Sequence, residues 1–110
     1  MRFLKNDLNT SQDLSSAPLS FTTTYSKGFT NLQILINFSV NVTETITITL
    51  DSVAGPNYDT ILRKKTLSGE GSFTYETNKN FAAGDKIKIQ CTNANTTGIA
   101  YVIVKAREIG

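Results

Sequence analysis

The chain contains no histidine and no tryptophan, and its single cysteine is Cys91. Without histidine there is no side chain that titrates near neutrality in its ordinary state. The usual general base, the commonest zinc ligand and the Ser-His-Asp type of triad are thereby excluded. One cysteine allows neither an intrachain disulfide nor a cysteine metal cluster. No apolar run approaches the ~20 residues of a membrane-spanning helix. Charge of one sign is also scarce. Against 11 Lys+Arg stand 9 Asp+Glu, a formal net charge of +2. The pI near 8.8 therefore reflects a small difference and not the dense positive face of a nucleic-acid binder. The sequence predicts no nucleic-acid partner, no membrane partner, no cofactor and no metal.

What is abundant is polar and β-branched. Thr, Ser and Asn make up 35 of 110 residues, and Thr, Ile and Val give 31 β-branched side chains. Such side chains are stiff at χ1 and suit a pleated surface better than a helix. At 110 residues there is room for one small domain with a modest core. The expected fold class is all-β, an antiparallel sandwich of jelly-roll type with an extended N-terminal arm.

The arm is placed at residues 1–18 and the sandwich domain at 19–110. A secretion signal needs an apolar stretch of roughly 7–15 residues after its basic start. Lys5-Asn6-Asp7 interrupts it at once, so export by that route is not expected. Phe3, Leu4, Leu8 and Leu14 are apolar without a regular β period. They fit either a flexible, partly helical leader or an arm docking on a neighbouring subunit, and the second reading makes these four residues the candidate interface. Beyond them, Leu32, Ile34, Ile36, Phe38 and Val40 alternate with more polar residues, as do Ile46, Ile48 and Leu50 with Thr45, Thr47 and Thr49. Period two turns the first set of each strand inward. Ile87, Ile89 and Cys91 share an inward row. Ala100, Val102, Val104 and Ala106 form another, on a strand expected to be central. Strands are also predicted over 19–25, 58–65 and 72–77, the face assignment of 58–65 being ambiguous.

Residues with chemical potential are thinly spread. Asp51, Asp59 and Asp85 sit at loop edges, where they read as turn and cap residues sooner than as ligands of a shared calcium ion. Glu70 and Glu76 read as solvated charges sooner than as an acid/base pair. Arg63-Lys64-Lys65 is the one basic run, and in a strand its members point alternately. Cys91 reads as a buried, inert thiol. Tyr25, Tyr58, Tyr75 and Tyr101 read as ordinary packing residues sooner than as a sugar-stacking platform, since tryptophan, the strongest stacker, is absent. No catalytic residue is assigned, and no enzymatic activity is expected.

Several stretches carry a resemblance. They are Thr45-Ile46-Thr47-Ile48-Thr49-Leu50-Asp51-Ser52, Tyr58-Asp59-Thr60-Ile61-Leu62, Phe81-Ala82-Ala83-Gly84-Asp85-Lys86-Ile87-Lys88-Ile89 and Gly98-Ile99-Ala100-Tyr101-Val102. In them the chain resembles small β-sandwich structural proteins of tailed bacteriophages, of the head-decoration or cement type or the neck and tail accessory type. The resemblance implies a virion protein made in the host cytoplasm. It would contact capsid, neck or tail proteins and form a homo-oligomer, a trimer being one arrangement. The Gly-Asp-Lys-Ile-x-Ile strand entry also recurs in carbohydrate-binding jelly-roll modules, which makes a glycan-binding or host-attachment module the rival reading.

Overall fold

The computed structural model describes residues 3–94 and 98–109, with residues 3–7 as main chain. Among these, the strands are β1 (Phe3–Asp13), β2 (Leu19–Thr24), β3 (Phe29–Val42), β4 (Thr45–Asp51), β5 (Thr60–Thr66), β6 (Glu70–Thr77), β7 (Lys86–Cys91) and β8 (Ile99–Ile109). They form two four-stranded antiparallel sheets, one ordered β1-β8-β3-β6 and the other β2-β7-β4-β5. Four of the pairings, β4 with β5, β3 with β6, β2 with β7 and β1 with β8, belong to one long hairpin doubled back at the β4–β5 loop. Rolling that hairpin brings β3 against β8 and β4 against β7. This is the jelly roll expected from the sequence.

The strands form where β-branched residues alternate, and the alternation decides what is buried. Ile46 and Ile48 of β4, Ile87 and Ile89 of β7, Leu32, Ile34 and Ile36 of β3, and Val102 and Val104 of β8 are sealed from solvent between the sheets. Burying each such side chain contributes about 1.5–3 kcal/mol. β8 is central in its sheet, so its inward row of Ala100, Val102, Val104 and Ala106 is completely covered. The core ends on a small aromatic stack. Tyr25 and Phe29 have ring centroids 4.2 Å apart, and Phe29 and Phe81 4.8 Å.

Two expectations are corrected. Residues 3–13 are not an arm outside the sandwich but its edge strand β1, in unbroken register with β8 from Phe3↔Ile109 to Asp13↔Ile99. Leu14 is fully buried in the core and is unavailable as an interface residue, while Leu8 is half-buried against that core. The side chains of Phe3 and Leu4 lie outside the described residues. The second correction concerns the end of β3. Its register with β6 shifts between Asn37 and Val42; Val42 keeps the alternation of Ile36 and is buried again, but the two positions of that row between them are not sealed. Phe38 is half-buried and Val40 is 48% exposed.

Candidate interaction surface

The outer face of the β1-β8-β3-β6 sheet is built in rows that cross all four strands. Asn9, Ile103, Leu35 and Thr74 form one row; Ser11, Tyr101, Asn37 and Ser72 form the next. The half-buried Leu35 and Ile103 and the exposed Tyr101 make a narrow apolar stripe on an otherwise polar plateau. Toward the chain termini the plateau dips into a concavity of ≈ 380 Å³ that includes Asn31, Gln33, Glu76, Asn78, Lys105 and Arg107 in its lining. It exists because β3 bulges against β8 between Thr30 and Gln33. Asn31 takes up the bulge with a φ of 52°, a conformation asparagine tolerates better than most residues. The Gln33 Nε2 donates to Glu76 Oε1 at 3.2 Å. The lining offers amides, the Thr77 hydroxyl, two cations and one carboxylate.

At the end of the sandwich that carries the β4–β5 and β6–β7 loops, apolar side chains point into solvent. Val53, Tyr58 and Ile61 are 59%, 65% and 59% exposed. Their support is nonetheless well ordered. Asp85, itself buried, accepts hydrogen bonds from the Val53 N–H (2.9 Å) and the Ala82 N–H (2.9 Å). Asp59 accepts from the Ser52 N–H at 2.8 Å. A short 3-10 turn at Pro56–Tyr58 completes the loop. The expected loop-edge aspartates are thus engaged with main-chain N–H groups, and Asp51 lies opposite Lys86 in register. Among the described residues no group of three His, Cys, Asp or Glu side chains is placed to hold a metal ion.

The outer face of the second sheet is a plateau of Thr22, Thr24, Thr47 and Thr49 with Lys64, Lys86, Lys88 and Gln90. The basic run divides as strand geometry requires. Arg63, Lys64 and Lys65 stand opposite Ile48, Thr47 and Ile46. The four tyrosines do not share a face. Tyr25 is buried, Tyr75 half-buried beneath β6, Tyr58 on the apical loop and Tyr101 on the outer face of the other sheet.

One buried acid escaped the sequence reading. Glu44, in the short β3–β4 link, is 3% exposed. Its Oε1 accepts from the Thr92 hydroxyl at 2.7 Å and the Ala94 N–H at 3.0 Å. A charged residue in a tight link reads as solvated, and nothing local distinguishes this one. Beside it, Cys91 is buried as expected. Burial, and then the charge of Glu44, push its thiol up to about 11.

The sequence matches no known protein family and no curated protein. Among solved structures, the chain is similar to one from infectious bursal disease virus, Gx strain. The identity is 12% and the TM-score 0.41, over 97% of this chain and 36% of that one. A chain from the Gt strain of the same virus gives 13% identity and a TM-score of 0.36, over 97% of this chain and 37% of that one. The chain therefore spans about a third of the length of the solved chains it matches.

Proposed function

We propose that the chain is a non-enzymatic structural protein of a virion, of the kind that decorates or stabilises a bacteriophage particle at the capsid, neck or tail through protein–protein contacts. The observation that carries this reading is the apical loop. Three large apolar side chains, Val53, Tyr58 and Ile61, stand in solvent on main chain anchored by Asp59 and the buried Asp85. Exposed apolar groups on a pre-ordered support cost little to dock, because the loop entropy is already lost before the partner arrives. Of the three, Tyr58 is of the residue type enriched among the side chains that dominate interface energetics. The jelly roll supplies a rigid body for them, and the sequence resemblance points to the same role. The polar concavity contributes rim contacts and no reaction.

The test is composition. Particles purified by density gradient from the host that encodes the chain are analysed by quantitative mass spectrometry. The chain is expected at a fixed copy number per particle, and the Val53→Ser/Tyr58→Ser variant is expected to be lost from particles while remaining folded. Absence from purified particles, or undiminished incorporation of the variant, counts against the reading.

A further inference from the structure

The two long sides of the sandwich differ. On one side the edge strands β1 and β2 touch; on the other, β5 and β6 do not close to the same degree. That open side shows half-buried Leu62 and Tyr75. Each of its strands is hydrogen-bonded to one neighbour, so each presents a row of free main-chain donors and acceptors. Their charges are opposite. β5 carries Arg63, Lys64 and Lys65 and no acid; β6 carries Glu70 and Glu76 and no base.

We infer that this side is the dimer interface of a second copy of the chain, in which β5 of each protomer pairs with β6 of the other. β5 beside β5 would set cations against cations, and β6 beside β6 carboxylates against carboxylates. The crossed pairing is the one that brings opposite signs together. Symmetry permits it. A two-fold axis parallel to the strands carries β6 of the second copy to the edge of β5. Because β5 and β6 run in opposite senses within one chain, the new pairing is antiparallel. The same operation makes the second, identical junction, so the contact is isologous and closed. The short β5–β6 connection holds Thr66 and Glu70 at similar heights, which places Glu70 of the second copy beside the Lys64–Lys65 end of β5. Both sheets then continue across the interface, and Leu62 and Tyr75 gain cover. Strands this short give a contact about 23 Å long at ~3.3 Å per residue. That is at the small end of specific interfaces, and the association expected is micromolar. The inference stands apart from the virion reading, since it concerns two copies of the chain alone.

Sedimentation velocity over a concentration series tests it by charge exchange. Wild type is expected to pass from monomer to dimer. R63E/K64E makes both junctions acidic, and E70K/E76K makes both basic, so each variant alone should raise the dimer dissociation constant by about tenfold or more. An equimolar mixture restores opposite charge at both junctions and should dimerise again. On wild type alone, dilution should shift NMR amide signals of β5 and β6 and leave those of β1 and β2 unchanged, which keeps the test decisive if a variant folds poorly. A chain that stays monomeric at all concentrations, a trimer, undiminished dimerisation of either variant, or a mixture that fails to recover overturns the inference.

Discussion

Glu44 and Thr92 are 48 positions apart in the chain, yet the Thr92 hydroxyl donates to the Glu44 carboxylate at 2.7 Å. The same hydroxyl accepts the Thr45 N–H at 3.0 Å, and the carboxylate takes the Ala94 N–H as well. This relay ties the start of β4 to the end of β7. Glu44→Ala is expected to lower the unfolding free energy in urea by about 1–3 kcal/mol, because it removes a buried, charged acceptor that takes two hydrogen bonds. Glu76→Ala, which removes an exposed bond to Gln33, should cost visibly less.

The Cys91 thiol gives a pH dependence of definite sign. In the unfolded chain it ionises around its ordinary 9.0, whereas in the fold it is held up to about 11. Between those values the unfolded chain binds fewer protons, so rising pH favours unfolding. Stability from this group is full below pH 9 and is lost progressively toward 11. Urea titrations at about pH 8 and about pH 10.5 should show the drop, and Cys91→Ala should flatten it. An equal drop in both chains would place the titration elsewhere.

Ile48 and Thr47 test the register directly. Ile48 is sealed in the core and Thr47 faces outward on the same strand. Ile48→Ala should cost about 2–5 kcal/mol and Thr47→Ala less than about 1 kcal/mol. The reverse order would mean a one-residue slip of β4.

The apical loop depends on Asp85. Asp85→Ala removes the acceptor of the Val53 and Ala82 N–H groups, and hydrogen exchange at both should accelerate. Gly84 is a second check. Its φ of +88° and the 2.9 Å that would separate a new Cβ from Val53 Cγ2 make Gly84→Ala destabilising by about 1–3 kcal/mol.

Removing residues 1–18 takes away β1 and the core residue Leu14. It also bares the edge of β8. The shortened chain is expected to lose its cooperative thermal transition by circular dichroism, or to aggregate. A monomer with an unchanged transition would restore the view of this segment as a dispensable arm.

Most of the sandwich was legible because β3, β4, β7 and β8 bury one face and alternate accordingly. β1 was not, although burial alternates regularly from Leu8 to Asp13. Its inward positions include Thr10 and Gln12, opposite Val102 and Ala100. An edge strand tolerates polar residues there, and these erase the hydrophobic period. Val40 was misplaced because it lies in the stretch after Asn37 where β3 loses its register with β6, with no glycine or proline to announce it. The ambiguity of β5 also has a cause. Its register shifts opposite Ile48 and Thr49, and most of its side chains are exposed, so neither face carries a burial signal. For the surface, Asp59 and Asp85 were visible as loop-edge residues, but their main-chain partners lie across loops that only the fold brings together.

The rolled hairpin also sets an order of events. In the β1-β8-β3-β6 sheet, β8 is the strand between β1 and β3. Until Ile99–Ile109 leaves the ribosome, β1 has no pairing partner in its sheet and β3 has one of its two. The other sheet can be assembled earlier, since β2, β4, β5 and β7 all precede β8 in the chain. A chain that folds as it is made can therefore assemble the second sheet first, with the inward faces of β3 and β6 waiting. The closing step is the insertion of one strand between two others, a non-local event that belongs to the slow, millisecond-to-second class of folding reactions.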